Sequence, residues 1–188
     1  MRVLVAIGAI AAVAFAVRSL FHQTDGGGVA DAGDVVAAND DPKIATKNGL
    51  ISVRYPSTFT ATTLDDATVE LDDENVSLTV GALGNRTNED ASSLAERDLK
   101  LLREKLGRDG ATFSEASQKP FRCLGKYEGV QTEETLTMEG ARPTLLRGCF
   151  FVHDHVAGFI TYLVPQAERA REQPAIARIL ASIEVTPR

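Results

Sequence analysis

The sequence has no tryptophan, and only three tyrosines and eight phenylalanines among its 188 residues. Carbohydrate-binding surfaces are built on aromatic platforms, and here the few rings fall mostly at core positions. Cysteine is equally scarce. Cys123 and Cys149 are the two present, and they form no C-x-x-C pair, which excludes zinc-ribbon and thioredoxin-like chemistry. G-x-S-x-G, Walker A and G-x-G-x-x-G motifs are absent, so neither a nucleophile elbow nor a phosphate cradle is expected, and no cofactor. Positive charge is in short supply: 20 Lys and Arg stand against 26 Asp and Glu, a net charge of -6 with a pI near 5.1. A nucleic-acid partner needs a clustered cationic excess and is disfavoured. Polybasic docking on anionic lipid is disfavoured for the same reason.

What is present begins with an apolar run. Val3 to Val17 carries no polar side chain and is flanked by Arg2 and Arg18. As a helix, its 15 residues reach about 22 Å against a hydrocarbon core of about 30 Å. Extension through Ser19, Leu20 and Phe21 requires Arg18 to snorkel to the headgroups. Residues 1–21 therefore read either as a signal anchor or as a cleaved signal peptide with a small-residue site at Ala14-Phe15-Ala16. No cysteine lies nearby to take a lipid. A membrane connection through this segment, and a place outside the cytoplasm, are the expectation.

Residues 22–47 contain three consecutive glycines, five aspartates and no aromatic. Such a stretch buries too little apolar surface to offset its chain entropy, so it is expected as a flexible spacer. Residues 48–188 form the folded domain. Asn48-Gly49 is a turn signal, and Ile51, Val53 and Tyr55 then alternate with Ser52 and Arg54 up to Pro56. Short strands are expected around Phe59, at Thr68–Leu71 and at Val76–Val80, the last with Ser77 and Thr79 facing outward.

A helix follows, with capping-box spacing at Ser93 and Glu96 and an apolar stripe of Ala95, Leu99, Leu102 and Leu106, ending at Gly107. Strands are predicted at Ala111–Gln118, Lys126–Met138, Thr144–Val152 and Ala157–Val164. The last two are apolar on both faces, the mark of strands in the middle of a sheet covered on both sides. A closing helix has Pro174 in its first turn and Ile176, Ile179, Leu180 and Ile183 buried. The fold class is thus α+β, an antiparallel β-sheet sandwiched between helices.

The run Asn48-Gly49-Leu50-Ile51-Ser52-Val53-Arg54-Tyr55-Pro56 resembles the opening of PsbP/DcrB-like domains. The amphipathic helix after the strand near Asn75–Gly81, the Gly125 turn before a long strand, and the closing Ile179-Leu180-Ala181-Ser182-Ile183 resemble theirs too. The resemblance covers about residues 48–186. It implies an antiparallel sheet between helices and a non-enzymatic accessory or interaction role. It carries over no binding residues.

Cys123 and Cys149 can form a disulfide closing 26 residues, or remain two buried thiols. A simple hairpin turning near Gly140 sets Cys149 opposite Gln131 to Glu133, so Cys123 must reach it from the loop before Gly125. His153-Asp154-His155 has metal-ligand residue types but reads as a polar hairpin tip, since a site needs three or four converging ligands. Asp65-Asp66 and Asp72-Asp73-Glu74 lack calcium-loop spacing and read as solvated loop charge. Glu133-Glu134 lie in a strand, where neighbours point to opposite faces, which argues against an acid/base dyad. No catalytic, metal or cofactor residue is assigned. The expected function is a non-catalytic extracytoplasmic interaction or accessory module with a protein partner. The alternative is a small-molecule or lipid carrier, which needs an apolar cleft between sheet and helices.

Overall fold

A computed structural model of the chain describes residues 40–85 and 89–186. The apolar run and the spacer as far as residue 39 lie outside the described residues. Among those described, no helix is long and apolar enough to cross a membrane.

Alternating patterns become two antiparallel sheets. The small one has the order β1 (Lys43–Ala45), β2 (Ile51–Arg54), β11 (Glu184–Val185). β1 falls within the stretch that composition reads as spacer. It forms because it can pair along β2, Ile44 opposite Val53, with Ile44 packed on the core.

The large sheet takes β3 (Thr60–Thr63), β4 (Thr68–Asp72), β5 (Ser77–Gly84), β6 (Thr112–Phe113), β7 (Ser117–Cys123), β8 (Tyr127–Thr137), β9 (Thr144–His153) and β10 (Val156–Pro165). Its order is β3-β4-β5-β10-β9-β8-β6, with β7 also paired to β8. The two strands apolar on both faces, β9 and β10, therefore lie in the interior of the sheet.

Each face has its own cover. Helix α1 (Ala91–Arg108) lies across β8 and β9. Its Leu94 and Ala95 pack with Phe150 and Phe159, and its Leu99, Leu102 and Leu106 pack with Leu136, Leu146 and Leu163. On the opposite face, helix α2 (Arg169–Ala181) and the small sheet close over Leu78, Val80, Phe151, Ile160 and Val164. The chain is thus an α+β sandwich, as the periodicity predicts.

Local details depart from the sequence reading. The N-cap of α1 is Asp90, whose carboxylate accepts from Ser93 N–H at 2.7 Å. Ser93 is a helical residue, not the cap. The helix continues past Gly107 to Arg108 and stops at Gly110, which has φ of 87°. Ser77 and Thr79 are buried, not outward. The expected strand at Ala111–Gln118 is two strands, β6 and β7, both on the edge of β8. α2 begins at Arg169, so Pro174 sits inside the helix and not in its first turn.

Candidate functional site

Cys123 and Cys149 are joined, with S–S 2.00 Å and Cα–Cα 5.9 Å. Cys149 pairs with Gln131 of β8, the register that the Gly140 turn predicts. Cys123 comes from the end of β7, on the other side of β8. It arrives because the β7–β8 hairpin curls over the sheet. The hairpin turn has Leu124 and Gly125 both in the left-handed region, and Lys126 N–H donates to Cys123 C=O at 3.0 Å. Gly129 of β8 allows close contact with β9, because a Cβ there would lie 2.1 Å from the Phe150 carbonyl oxygen.

This curl leaves a groove between the hairpin and α2, about 460 Å³ in volume. Its floor is the α2-facing side of β9 and β10. The register separates its two ends, since Ile160 pairs with Cys149 while Tyr162 pairs with Arg147. β10 runs into α2, which returns antiparallel to it. Gln173 therefore lies toward Tyr162, and Leu180 and Ala181 lie toward Ile160. One end is apolar, with Leu124, Ile160, Leu180 and the ring of Phe121, which is 44% exposed. The other is polar, with Arg147, Tyr162 and Gln173, while Gln131 lies in register with Cys149 and Ile160, toward the first end.

Electrostatics follow the same division. Arg147 Nε donates to Glu133 at 2.8 Å, a second nitrogen donates to the same oxygen, and Arg169 lies 3.9 Å from it. Partial burial pushes the Glu133 carboxyl up. The Arg147 hydrogen bonds, with the charges of Arg147, Arg169 and Lys119, outweigh that and hold it below the ordinary range. Burial raises Tyr162 against the pull of Arg147, whose guanidinium lies 5.9 Å from the Tyr162 ring centre. Two arginines thus flank one carboxylate. Arg122, also at the groove, makes no ion pair among the described residues.

The other sequence candidates are placed elsewhere. His153, Asp154 and His155 form an exposed hairpin tip, with His153 Nε2 3.2 Å from Asp154 Oδ2. Asp65 and Asp73 cap turns, accepting from Ala67 N–H and from Asn75 and Val76 N–H. Glu133 and Glu134 point to opposite faces, Glu133 to Arg147 and Glu134 to Arg103. Among the described residues, no three His, Cys, Asp or Glu side chains converge as a metal site. The carrier alternative requires an apolar cleft between sheet and helices, but no residue lining this groove is singled out from the sequence; Arg147, the one charged residue in the otherwise apolar stretch 145–152, is the available signal.

No protein-family model matches the chain, and no curated protein matches it in sequence. Solved structures do match in shape. A cyanobacterial PsbP (CyanoP) from Synechocystis aligns with TM-score 0.55 and 10% identity, over 85% of this chain and 98% of its own. A Bacteroides thetaiotaomicron structure aligns with TM-score 0.51 and 13% identity over 77% of this chain, which spans about half of that protein, 48%. The yeast Ran-binding protein Mog1p aligns with TM-score 0.49 and 12% identity, over 79% of this chain and 96% of its own. The fold of this chain is thus PsbP-like α+β.

Proposed function

We propose that the chain is a non-catalytic accessory module on the extracytoplasmic side of a membrane, working through a protein partner. The observation that carries this reading is the bond between Cys123 and Cys149. Disulfides persist in oxidising compartments and are rare in the cytosol. The uninterrupted apolar run Val3–Val17 supports export or anchoring in the same direction. Phe121, the exposed large apolar side chain among the described residues, supports a contact surface at the hairpin. The narrower assignment to the PsbP/DcrB-like family rests on the motifs at Asn48–Pro56 and Ile179–Ile183.

The test is made on native protein extracted under a thiol-blocking reagent in mild detergent. Mass spectrometry of the Cys123 and Cys149 peptides and of the N-terminus is the readout, beside the proteins that co-purify. The expected result is a blocked-free, bonded pair, with a reproducible partner. Alkylation of both thiols would remove the extracytoplasmic reading. A protein always recovered alone would remove the partner.

A further inference from the structure

We infer that the groove between the β7–β8 hairpin and α2 binds a free amphiphilic monocarboxylate of the medium-chain fatty-acid class. Its carboxylate would lie toward Arg147 and Arg169, and its chain along Ile160 and Leu180 toward Leu124. Four observations carry this. The volume, about 460 Å³, is within the small-molecule range of roughly 300–1,000 Å³. The ends differ in chemistry, as an amphiphile requires: Arg147, Tyr162 and Gln173 at one, and Leu124, Ile160 and Leu180 at the other. From Gln173 to Leu180, α2 rises about 10 Å, which suits a medium chain and not a long one. Finally, Arg147, which lines the groove, and Arg169 beside it both reach the single carboxylate of Glu133. In a chain of net charge -6, this is a local surplus of positive charge next to an apolar trough. An anionic head complements it, and a neutral or cationic head does not.

A peptide strand added to the β7 edge fits less well. Pro120 in β7 has no N–H to offer a ladder, and such a residue blunts an edge against pairing. Docking on a bilayer is disfavoured too, because the cationic end is flanked by Glu133 and half-covered, with the Arg147 side chain only 19% exposed.

The experiment titrates carboxyl-labelled decanoate into the full-length protein, held in neutral phosphatidylcholine nanodiscs, with empty discs as the blank. A saturable bound carboxyl resonance is expected, with decanol and acetate binding more weakly. Arg169→Gln should weaken decanoate about tenfold, the worth of one charge-assisted contact. Ala177→Trp fills the groove from an exposed helix position and should abolish binding with an unchanged melting temperature. Ala181→Trp serves if that variant does not fold. Non-saturable decanoate, equal binding of decanol, or full binding by both tryptophan variants would each overturn the proposal. So would a co-purified protein that protects the groove while decanoate does not compete.

Discussion

Cys123 and Cys149 lie on strands that flank β8 on opposite sides, yet their Cα atoms are 5.9 Å apart. The bond therefore holds the curl of the β7–β8 hairpin and one wall of the groove. Its closed loop of 26 residues stabilises by about 3–4 kcal/mol in the chain-entropy model. Cys123→Ala with Cys149→Ala should lower urea-unfolding stability by that order. The double variant should also lose hydrogen-exchange protection in β7 before the rest of the sheet. Uniform loss of protection would mean that the bond stabilises the whole domain and does not pin the hairpin.

Arg103 of α1 reaches Glu134 of β8 with two hydrogen bonds, 2.9 and 2.6 Å, to a carboxylate that is 1% exposed. Burial pushes the Glu134 carboxyl up, and Arg103 works against that. Arg103→Met leaves a buried carboxylate without its cation, at a cost of about 3 kcal/mol. Arg103→Met with Glu134→Leu should recover most of the loss, because the desolvated charge is gone. Urea denaturation of both variants decides it. Equal destabilisation in the two would show that packing of the arginine stem, not the ion pair, carries the effect.

Sheet and helices were legible wherever burial imposes a period. β9 and β10 read as interior strands because both of their faces are apolar, and α1 read as a helix from the stripe ending at Leu106. Legibility failed where tertiary contact replaces a local signal. Ser117 to Arg122 in β7 are all exposed, so no alternation marks that strand, and the expected strand Ala111–Gln118 takes in β6 and only the first two residues of β7. β1 is three residues long and exists only through pairing with β2. The groove has no sequence period at all. It is assembled from β7, β8, β9, β10 and α2, and its one local signal is the charge of Arg147 within an apolar run.

The β9–β10 turn stores strain in two side-chain-bearing residues. Asp154 has φ of 44° and His155 has φ of 62°, the left-handed conformations that a two-residue hairpin turn demands. Asp and His enter that region more readily than most side-chain-bearing residues, but Gly takes it without steric cost. His155 is exposed, so its side chain contributes little packing. His155→Gly is expected to stabilise the domain, by about 0.5–1 kcal/mol. The expected readout is a higher urea midpoint at unchanged slope. A lower midpoint would mean that the imidazole makes a stabilising contact.

Glu70 of β4 gives the clearest pH dependence. It is 4% exposed, and one of its carboxyl oxygens has no hydrogen-bond partner. Burial, reinforced by the Asp72 carboxylate, raises its pKa from 4.5 to about 8. Burial likewise raises Asp98 to about 6, against the pull of Arg97. The folded state keeps a proton on Glu70 that the unfolded chain has released, so it binds more protons throughout this window. Stability is therefore greatest near the unfolded value, falls as pH rises from 4.5 through about 8, and levels off above that. Glu70→Gln supplies a neutral side chain of the same shape. It should match wild type in mild acid, exceed it increasingly as pH rises, and flatten the profile except for the parts that Asp98, Asp72, Asp73 and Glu134, all raised by burial, contribute. Thermal unfolding across that range measures it. Parallel profiles for wild type and variant would place the titrating group elsewhere, with Asp98→Asn the next substitution to make.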